Sequence, residues 1–353
     1  MSVAAKQPWV STASIDEIAA WLRAVPSVAL LTHAKVDGDA VGSTLAVARA
    51  LTRIGIKATP VYMGLWSNRF DAVVGTTPTI REKHGVWSSP PLSDIQHALV
   101  LDTGSWNQLA DAKSWLVPRC SRCAVIDHHL HGDADVAPMR FINTKAAAVC
   151  EIAAELCVKL LGVRSAAELP VEVAEPLLLG LASDTGWFKH SSTTPHVLHL
   201  AGDLMQAGAR HNWLFQTVEQ GDEPSRLKLI GRALSSLEFH SGSRIAILHT
   251  TQADLAECGS TLDDAGGLTD LPLTVGSVRV AASVVEVEPS LSKVSFRSKA
   301  GQAGKNEVDV DVNALAQTLG GGGHRHAAGV KIHKPLPEAL EAVRSALVRA
   351  MER

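Results

Sequence analysis

A short apolar run in the middle of the chain, Ala124-Val-Ile126, ends in an acid and two imidazoles, Asp127-His128-His129. Three other apolar stretches end in the same way. Val28-Ala-Leu-Leu-Thr32 runs into His33, Asp37, Gly38 and Asp39, Ala98-Leu-Val-Leu101 into Asp102, and Pro176 to Ser183 into Asp184. Carboxylates and imidazoles without thiolate suit manganese, with magnesium, cobalt, iron or zinc as alternatives. If they converge, these carboxylates are too close to ionise together without a cation. Enough are present for two ions about 3.5–4 Å apart sharing a carboxylate. Such a site binds a phosphate oxygen and lowers the pKa of a bridging water for in-line attack. Singly, each residue has a plain structural role: Asp39 as an N-cap, Asp102 as a turn residue, the histidines as a solvated turn. Their joint occurrence at the ends of elements points to a metal centre.

Convergence needs a parallel sheet, in which strand carboxyl ends share one edge and ligands bind there. Val28 to Thr32 reads as a strand, Ala40 to Leu51 as a helix stopped by Gly55, and Lys57 to Met63 as the next strand. That order is the grammar of a doubly wound, mainly parallel α/β domain. Gly38 is expected to turn the backbone tightly between Asp37 and Asp39. A helix is expected over 14–24, with acids in its first turn, and others over 145–161 and 196–219. Pro176 to Ser183 is strand or helix; periodicity does not decide.

The 353 residues exceed one ordinary core, so two domains are expected. The polar, turn-rich Gln220 to Pro224 marks the boundary, giving 1–221 as the metal domain, 222–240 as a linker helix and 241–353 as a second domain. The second is a smaller α/β domain with a mixed sheet: strands over 244–249, 278–287, 293–297 and 330–332, and helices over 312–319 and 338–351. Gly320 to Gly323 makes a poor helix and would suit close approach of backbone N–H groups to an anion, with His324 donating beside it. Arg297, Ser298 and Lys299 add cationic and hydroxyl donors at a strand end.

The net charge of -3 gives no basic field for long nucleic acid or an anionic membrane, so a nucleic-acid substrate should be short. No apolar run is long enough to span a bilayer, and MSVAAKQPWVSTAS lacks the core of a signal peptide. A cytoplasmic protein is expected. Five scattered cysteines argue against a disulfide framework, and Cys120-Ser-Arg-Cys123 alone is a weak zinc signal. Half-buried or buried thiols are the better expectation.

The ordered set His33-x3-Asp37-Gly38-Asp39, Asp102, Asp127-His128-His129 and Asp184-Thr185-Gly186 resembles the four signature motifs of the DHH phosphoesterases, and GGGGHRHAAG, Gly320 to Gly329, resembles the glycine signature of the DHH-associated C-terminal domain. Within that family, the chain is similar to the bacterial nano-RNase type. The resemblance implies a two-manganese hydrolase of short oligoribonucleotides that also dephosphorylates adenosine 3′,5′-bisphosphate (pAp), working in a cleft between the domains. It implies one ion on His33, Asp37 and Asp102, and another on Asp39, Asp102, His128 and Asp184. Asp127 would orient a neighbour, and His129 would face the scissile phosphate. Arg297, Ser298, Gly322, Gly323 and His324 would hold the substrate. Val36 stands where many members have proline. Aromatic residues are 4% of the chain, leaving Trp187, Phe188 or His326 as candidates for base stacking.

The competing readings are a phosphodiesterase of pApA or cyclic di-AMP and a non-catalytic nucleotide-binding regulator. A long-strand exonuclease would need a basic surface this chain lacks, and an inorganic pyrophosphatase would lack the glycine-rich domain. The expected partners are short RNA or small nucleotides and no membrane; a homodimer stays open.

Overall fold

In the computed structural model, residues 8–64, 66–81, 92–299 and 309–351 are described. The first seven residues, part of the stretch read as lacking a signal peptide, lie outside them. The chain divides into two compact units, Met1–Gly221 and Asp222–Arg353.

The first unit begins with α1 (Ile15–Ala24), started by a reciprocal capping box between Ser14 and Glu17. It continues through β1 (Ser27–Leu31), α2 (Gly38–Arg53), β2 (Lys57–Tyr62), α3 (Asp71–Val74), β3 (Ile80–Arg81), β4 (Ala98–Leu101), α4 (Lys113–Leu116), β5 (Cys123–Asp127) and β6 (Met139–Ile142). Four longer helices follow: α5 (Val149–Leu161), α6 (Val171–Asp184), α7 (Pro195–Gln206) and α8 (His211–Glu219). Among the described residues, six strands form one parallel sheet, in the order β3-β2-β1-β4-β5-β6. The order reverses between β1 and β4, and the crevice outside the carboxyl ends of two such strands is where open α/β sheets bind ligands.

Period-2 alternation explains the two covered faces. Val28, Leu30, Leu99, Leu101, Ala124 and Ile126 pack with α1, α2, α5 and α6. Ala29, Leu31, Val100 and Val125 pack on the other side with Leu109, Trp115 and Leu116.

The ambiguous apolar stretch over 176–183 is helix, part of α6. Leu177, Leu178, Leu179 and Leu181 are fully buried on every side, so no amphipathic period is left to read. The helix expected over 145–161 starts only at Val149, and the one expected over 196–219 is broken at Gly208, whose φ is 102°. All five cysteines are free thiols, four buried and Cys120 half-buried.

The second unit holds α9 (Pro224–Ser235), β7 (Glu238–His240), β8 (Ile245–Thr250), α10 (Gln252–Cys258), β9 (Val280–Glu288), β10 (Leu291–Ser298), α11 (Val312–Thr318), β11 (Gly322–His324), β12 (Ala327–Ile332) and α12 (Leu336–Met351). Its sheet order is β11-β12-β10-β9-β8-β7. The β8–β9 pair is parallel and the others antiparallel, so the sheet is mixed. One face carries Val280, Ala282, Val294 and Phe296 against α11 and α12. On the other, Leu248 and Val285 pack under α9 and α10.

Among the described residues, no helix is long and apolar enough to cross a membrane.

Candidate metal centre

Glycine sets the distance between the two helices that carry Asp39 and Asp184. A Cβ on Gly42 of α2 would lie 2.3 Å from the Pro176 carbonyl oxygen and 2.9 Å from the Gly180 nitrogen, both in α6. One on Gly180 would meet Asp39 Oδ1 at 2.7 Å, and one on Gly38 would meet Ser183 Cβ at 2.5 Å. Helices packed backbone to backbone bring the start of α2 against the end of α6. Gly38 therefore serves close packing at the first position of α2, not the tight turn expected from the sequence.

The cap of α2 is Asp37, not Asp39. Asp37 Oδ1 accepts from the N–H groups of Asp39 at 3.1 Å and Ala40 at 3.0 Å. Its Oδ2 is 3.7 Å from His33 Nε2. Asp39 is fully buried and caps a different helix: its two oxygens accept from Val149 N–H at 2.6 Å and Cys150 N–H at 2.9 Å, the first residues of α5. This bond pattern explains why α5 begins there. The exposed donors of a helix start suit a carboxylate.

Asp102 follows β4 with φ 65°, the left-handed region that a non-glycine residue adopts at a cost. Its Oδ2 lies 3.1 Å from His33 Nε2, and its Oδ1 lies 3.4 Å from His128 Nε2. His128 Nε2 is also 3.4 Å from Asp184 Oδ2. His128 Nδ1 is 3.2 Å from the Ala146 carbonyl, which can only accept, so Nδ1 carries a proton and Nε2 is the atom turned to the carboxylates.

Among the described residues, three sets of potential ligand atoms thus gather, each within 4.8 Å: His33, Asp37 and Asp102; Asp39, His128 and Asp184; and Asp102, His128 and His129. Asp102 and His128 each belong to two of them. Asp127 stands outside all three. It is fully buried at the end of β5, and its Oδ1 accepts from His128 N–H at 2.8 Å, His129 N–H at 3.2 Å and His129 Nδ1 at 2.7 Å.

The electrostatics fit a divalent cation. Burial, then the Asp102 charge, pushes the Asp39 carboxyl up to about 7. Burial, then Asp39 and Asp102, pushes Asp184 to about 9. Burial alone would lower His33, but hydrogen bonding and charge from Asp102 and Asp37 outweigh it and raise it to about 10. Against its burial, the Asp102 carboxylate beside it, then the Asp39 and Asp184 charges, raise His128 to about 10. Asp102 is held low despite its burial by His128 and His33. Asp102 Oδ1 and His128 Nε2 are buried without a hydrogen bond, although they face each other. Protons and orphaned lone pairs are what a cation replaces in such a site.

In the second unit, register places Arg297, Ala327 and His324 in one cross-strand row of β10, β12 and β11. Arg297 and His324 therefore share a sheet face, about 9–10 Å apart across two strand spacings. Both are accessible. The same face continues through Ser295 and Gly329 to Lys293 and Lys331, which sit directly opposite each other.

The other residues expected there differ. Ser298 is buried, and its hydroxyl donates to the Val310 carbonyl at 2.7 Å, with His326 Nδ1 at 2.9 Å. Nor do the glycines form an open ring of donors. The Gly320, Gly321 and Gly323 N–H groups donate to Gln317 O, Ala316 O and Asn313 Oδ1. Gly322 and Gly323 are exposed and belong to β11. A Cβ on Gly323 would meet the Ala327 carbonyl oxygen at 2.5 Å, so this glycine lets β11 press onto β12.

Of the stacking candidates, Trp187 packs edge-on against His211 and Phe215, at 5.4 and 4.9 Å between ring centroids. Phe188 leans on His211 as well. Their rings serve the local core.

The acid and histidine cluster lies at the switch point of a parallel sheet, where open α/β sheets bind ligands. Residues 27–181 match the model of the DHH family, N-terminal domain, and residues 263–353 match the DHHA1 domain. The chain is 31% identical to the bifunctional oligoribonuclease and PAP phosphatase NrnA of Thermus thermophilus, over 94% of each chain. It is 26% identical to the Bacillus subtilis protein of the same name, over 67% of this chain and 69% of that one. The fold is that of an exopolyphosphatase-related protein from Bacteroides fragilis, at TM-score 0.85 and 20% identity, covering 97% of this chain and 98% of that one. The chain belongs to the DHH family. It is a hydrolase acting on phosphate esters, with an acidic and histidine group suited to divalent metal.

Proposed function

We propose that this enzyme hydrolyses short oligoribonucleotides to mononucleotides and dephosphorylates adenosine 3′,5′-bisphosphate, using two manganese ions. The observation that carries the two-ion reading is the place of Asp102, whose oxygens face His33 on one side and His128 on the other. Similarity to NrnA along nearly the whole chain supports the substrate class. One ion would be held by His33, Asp37 and Asp102, the other by Asp39, Asp102, His128 and Asp184. Bound there, the metals supply an ionised water and neutralise charge on the phosphate. Asp127 fixes the ring and backbone of His129, whose accessible imidazole is offered to the scissile phosphate.

Arg297 and His324 bind substrate phosphate from their shared sheet face, with Gly322 and Gly323 carrying His324 on β11. Ser298 contributes by holding the end of β10 to Val310. Lys293 and Lys331 extend the basic face. Like charges directly opposite across strands disfavour the sheet, and a bound polyanion relieves that. Five free thiols support a reducing compartment, and we assign the enzyme to the cytoplasm.

The test is chromatography of the products from RNAs of two to five nucleotides, pAp, pApA and cyclic di-AMP, with manganese. Mononucleotides from the RNAs and AMP from pAp are expected. Turnover confined to pApA or cyclic di-AMP would replace the substrate assignment, and no turnover of any member would remove the catalytic reading. Full activity after exhaustive chelation and dialysis contradicts the use of metal.

A further inference from the structure

A segment that no motif covers is tied to the loops carrying Asp102 and His129. Residues 9–13 run beside the edge strand β6. Thr12 and Ala13 N–H groups donate to the Arg140 carbonyl at 2.8 and 3.1 Å. Two hydroxyls stand in for backbone partners. Thr12 Oγ1 donates to Pro138 O at 2.6 Å and accepts from Arg140 N–H at 2.9 Å, and Ser11 Oγ donates to Ile142 O at 3.1 Å and accepts from Ile142 N–H at 2.8 Å. The arm is thereby fixed along a strand whose neighbour, β5, ends in Asp127.

Its first part lays the Trp9 indole over two loops. A Cβ on Gly104 would fall 1.8 Å from Trp9 Cη2, and one on Gly132 would fall 2.4 Å from Trp9 Cε2. The ring occupies the space that glycine leaves at both positions. Gly104 is two residues after Asp102, and Gly132 three after His129. The Trp9 indole N–H donates to the His129 carbonyl at 3.2 Å. The same two loops are joined to each other: Asp133 N–H donates to Gly104 O at 2.7 Å, and Trp106 N–H to Asp133 Oδ2 at 3.0 Å.

His129 is held at its ring and its N–H by Asp127 and at its carbonyl by Trp9, while its side chain is 44% exposed. A half-exposed imidazole in a loop needs such fixing to keep one geometry. From this geometry we infer that Trp9 is a positioning residue for the reaction: it clamps the Asp102 and His129 loops together and sets the orientation in which His129 meets the substrate. This rests on the cluster being the catalytic centre. Trp9 meets these loops at backbone, the His129 carbonyl and the two glycines, so its loss should act on turnover and not on substrate affinity.

The experiment pairs kinetics with hydrogen exchange on the full chain. With manganese, Trp9→Ala should lower kcat on pAp and on an RNA dinucleotide by about tenfold or more, since small misplacements at a reacting centre are costly. KM and metal content should hold. Trp9→Phe keeps a ring and loses the N–H donor, so a loss of about three- to tenfold is expected. Gly132→Ala places a methyl where the indole lies and should reproduce Trp9→Ala. Ile18→Val, in the core of α1, controls for lowered stability and should leave kcat at the wild-type value. Independently of turnover, amide exchange at His129 and Asp133 should quicken in Trp9→Ala, with α2 and α6 unchanged. Unchanged exchange at those two amides overturns the clamp, whatever the substrate. So does a wild-type kcat in Trp9→Ala, or an equal loss of kcat in Ile18→Val. If wild-type enzyme turns over neither substrate, the catalytic reading fails, and the exchange measurement still judges Trp9.

Discussion

Gly42 and Gly180 face each other across the contact of α2 and α6, so close that a Cβ on Gly42 would lie 2.9 Å from the Gly180 nitrogen. The contact sets how near Asp39 and Asp184 come. Gly42→Ala must push the helices apart, because the two nearest atoms it meets are backbone. Overpacking of this kind costs about 1–3 kcal/mol. We expect a lower denaturant midpoint and loss of metal in parallel. Wild-type stability and metal content in this variant would mean that the helix contact does not set the centre.

Removal of the shared carboxylate should be more severe than removal of a peripheral one. Asp102→Ala should abolish turnover and weaken both metal sites, whereas Asp37→Ala, which removes a half-exposed group from one set, should affect one ion first. Elemental analysis beside manganese titration separates the two. Full metal content and wild-type turnover in Asp102→Ala would contradict a bridging role.

The direction of the pH dependence follows from the raised groups. In the metal-free protein the neighbouring charges raise His33 and His128 to about 10, and burial with like charges raises Asp184 to about 9 and Asp39 to about 7. At neutral pH these sites hold protons that a cation must displace, so metal affinity should rise with pH and binding should release protons. Calorimetry in buffers of different ionisation enthalpy counts them, and zero release contradicts the assignment. Without metal, the stabilisation from each histidine is complete below its unfolded value and disappears as pH rises through the folded one. The Asp184 penalty grows over a range ending near 9. Both effects lower the melting temperature of the metal-free protein from about pH 7 to 10. Saturating metal should flatten that decline.

Arg297→Ala and His324→Ala should retain manganese and lose substrate. Each forfeits a charge-assisted or polar bond to phosphate worth roughly 1.5–3 kcal/mol, so kcat/KM should fall about ten- to a hundredfold. Lys293→Gln with Lys331→Gln should spare pAp and weaken the longest oligonucleotides of the panel, with a shallower salt dependence. Metal loss with unchanged KM would move His324 into the metal shell.

Much of the centre was legible because local chemistry wrote it. Apolar runs ending in His33, Asp102 and Asp127 mark strand ends, and a parallel sheet puts strand ends on one edge. The strands over 244–249, 278–287, 293–297 and 330–332 of the second sheet were readable from their β-type composition, whereas β7 and β11 were not. What stayed hidden depended on surroundings. The stretch over 176–183 is apolar on all sides, so its state was decided by burial among neighbouring helices and not by its own period. Asp39 caps a helix that starts 110 residues later, Gly42 and Gly180 meet across 138 positions, and Trp9 reaches His129 across 120. The glycine run near His324 looked like an anion cradle, yet most of its donors were taken by the turn that ends α11 and by Asn313. A sequence displays the types and order of ligands because those are covalent facts. Close approach, hydrogen-bond allocation and proton occupancy depend on which distant atoms arrive beside them, and the packed tertiary structure alone decides that.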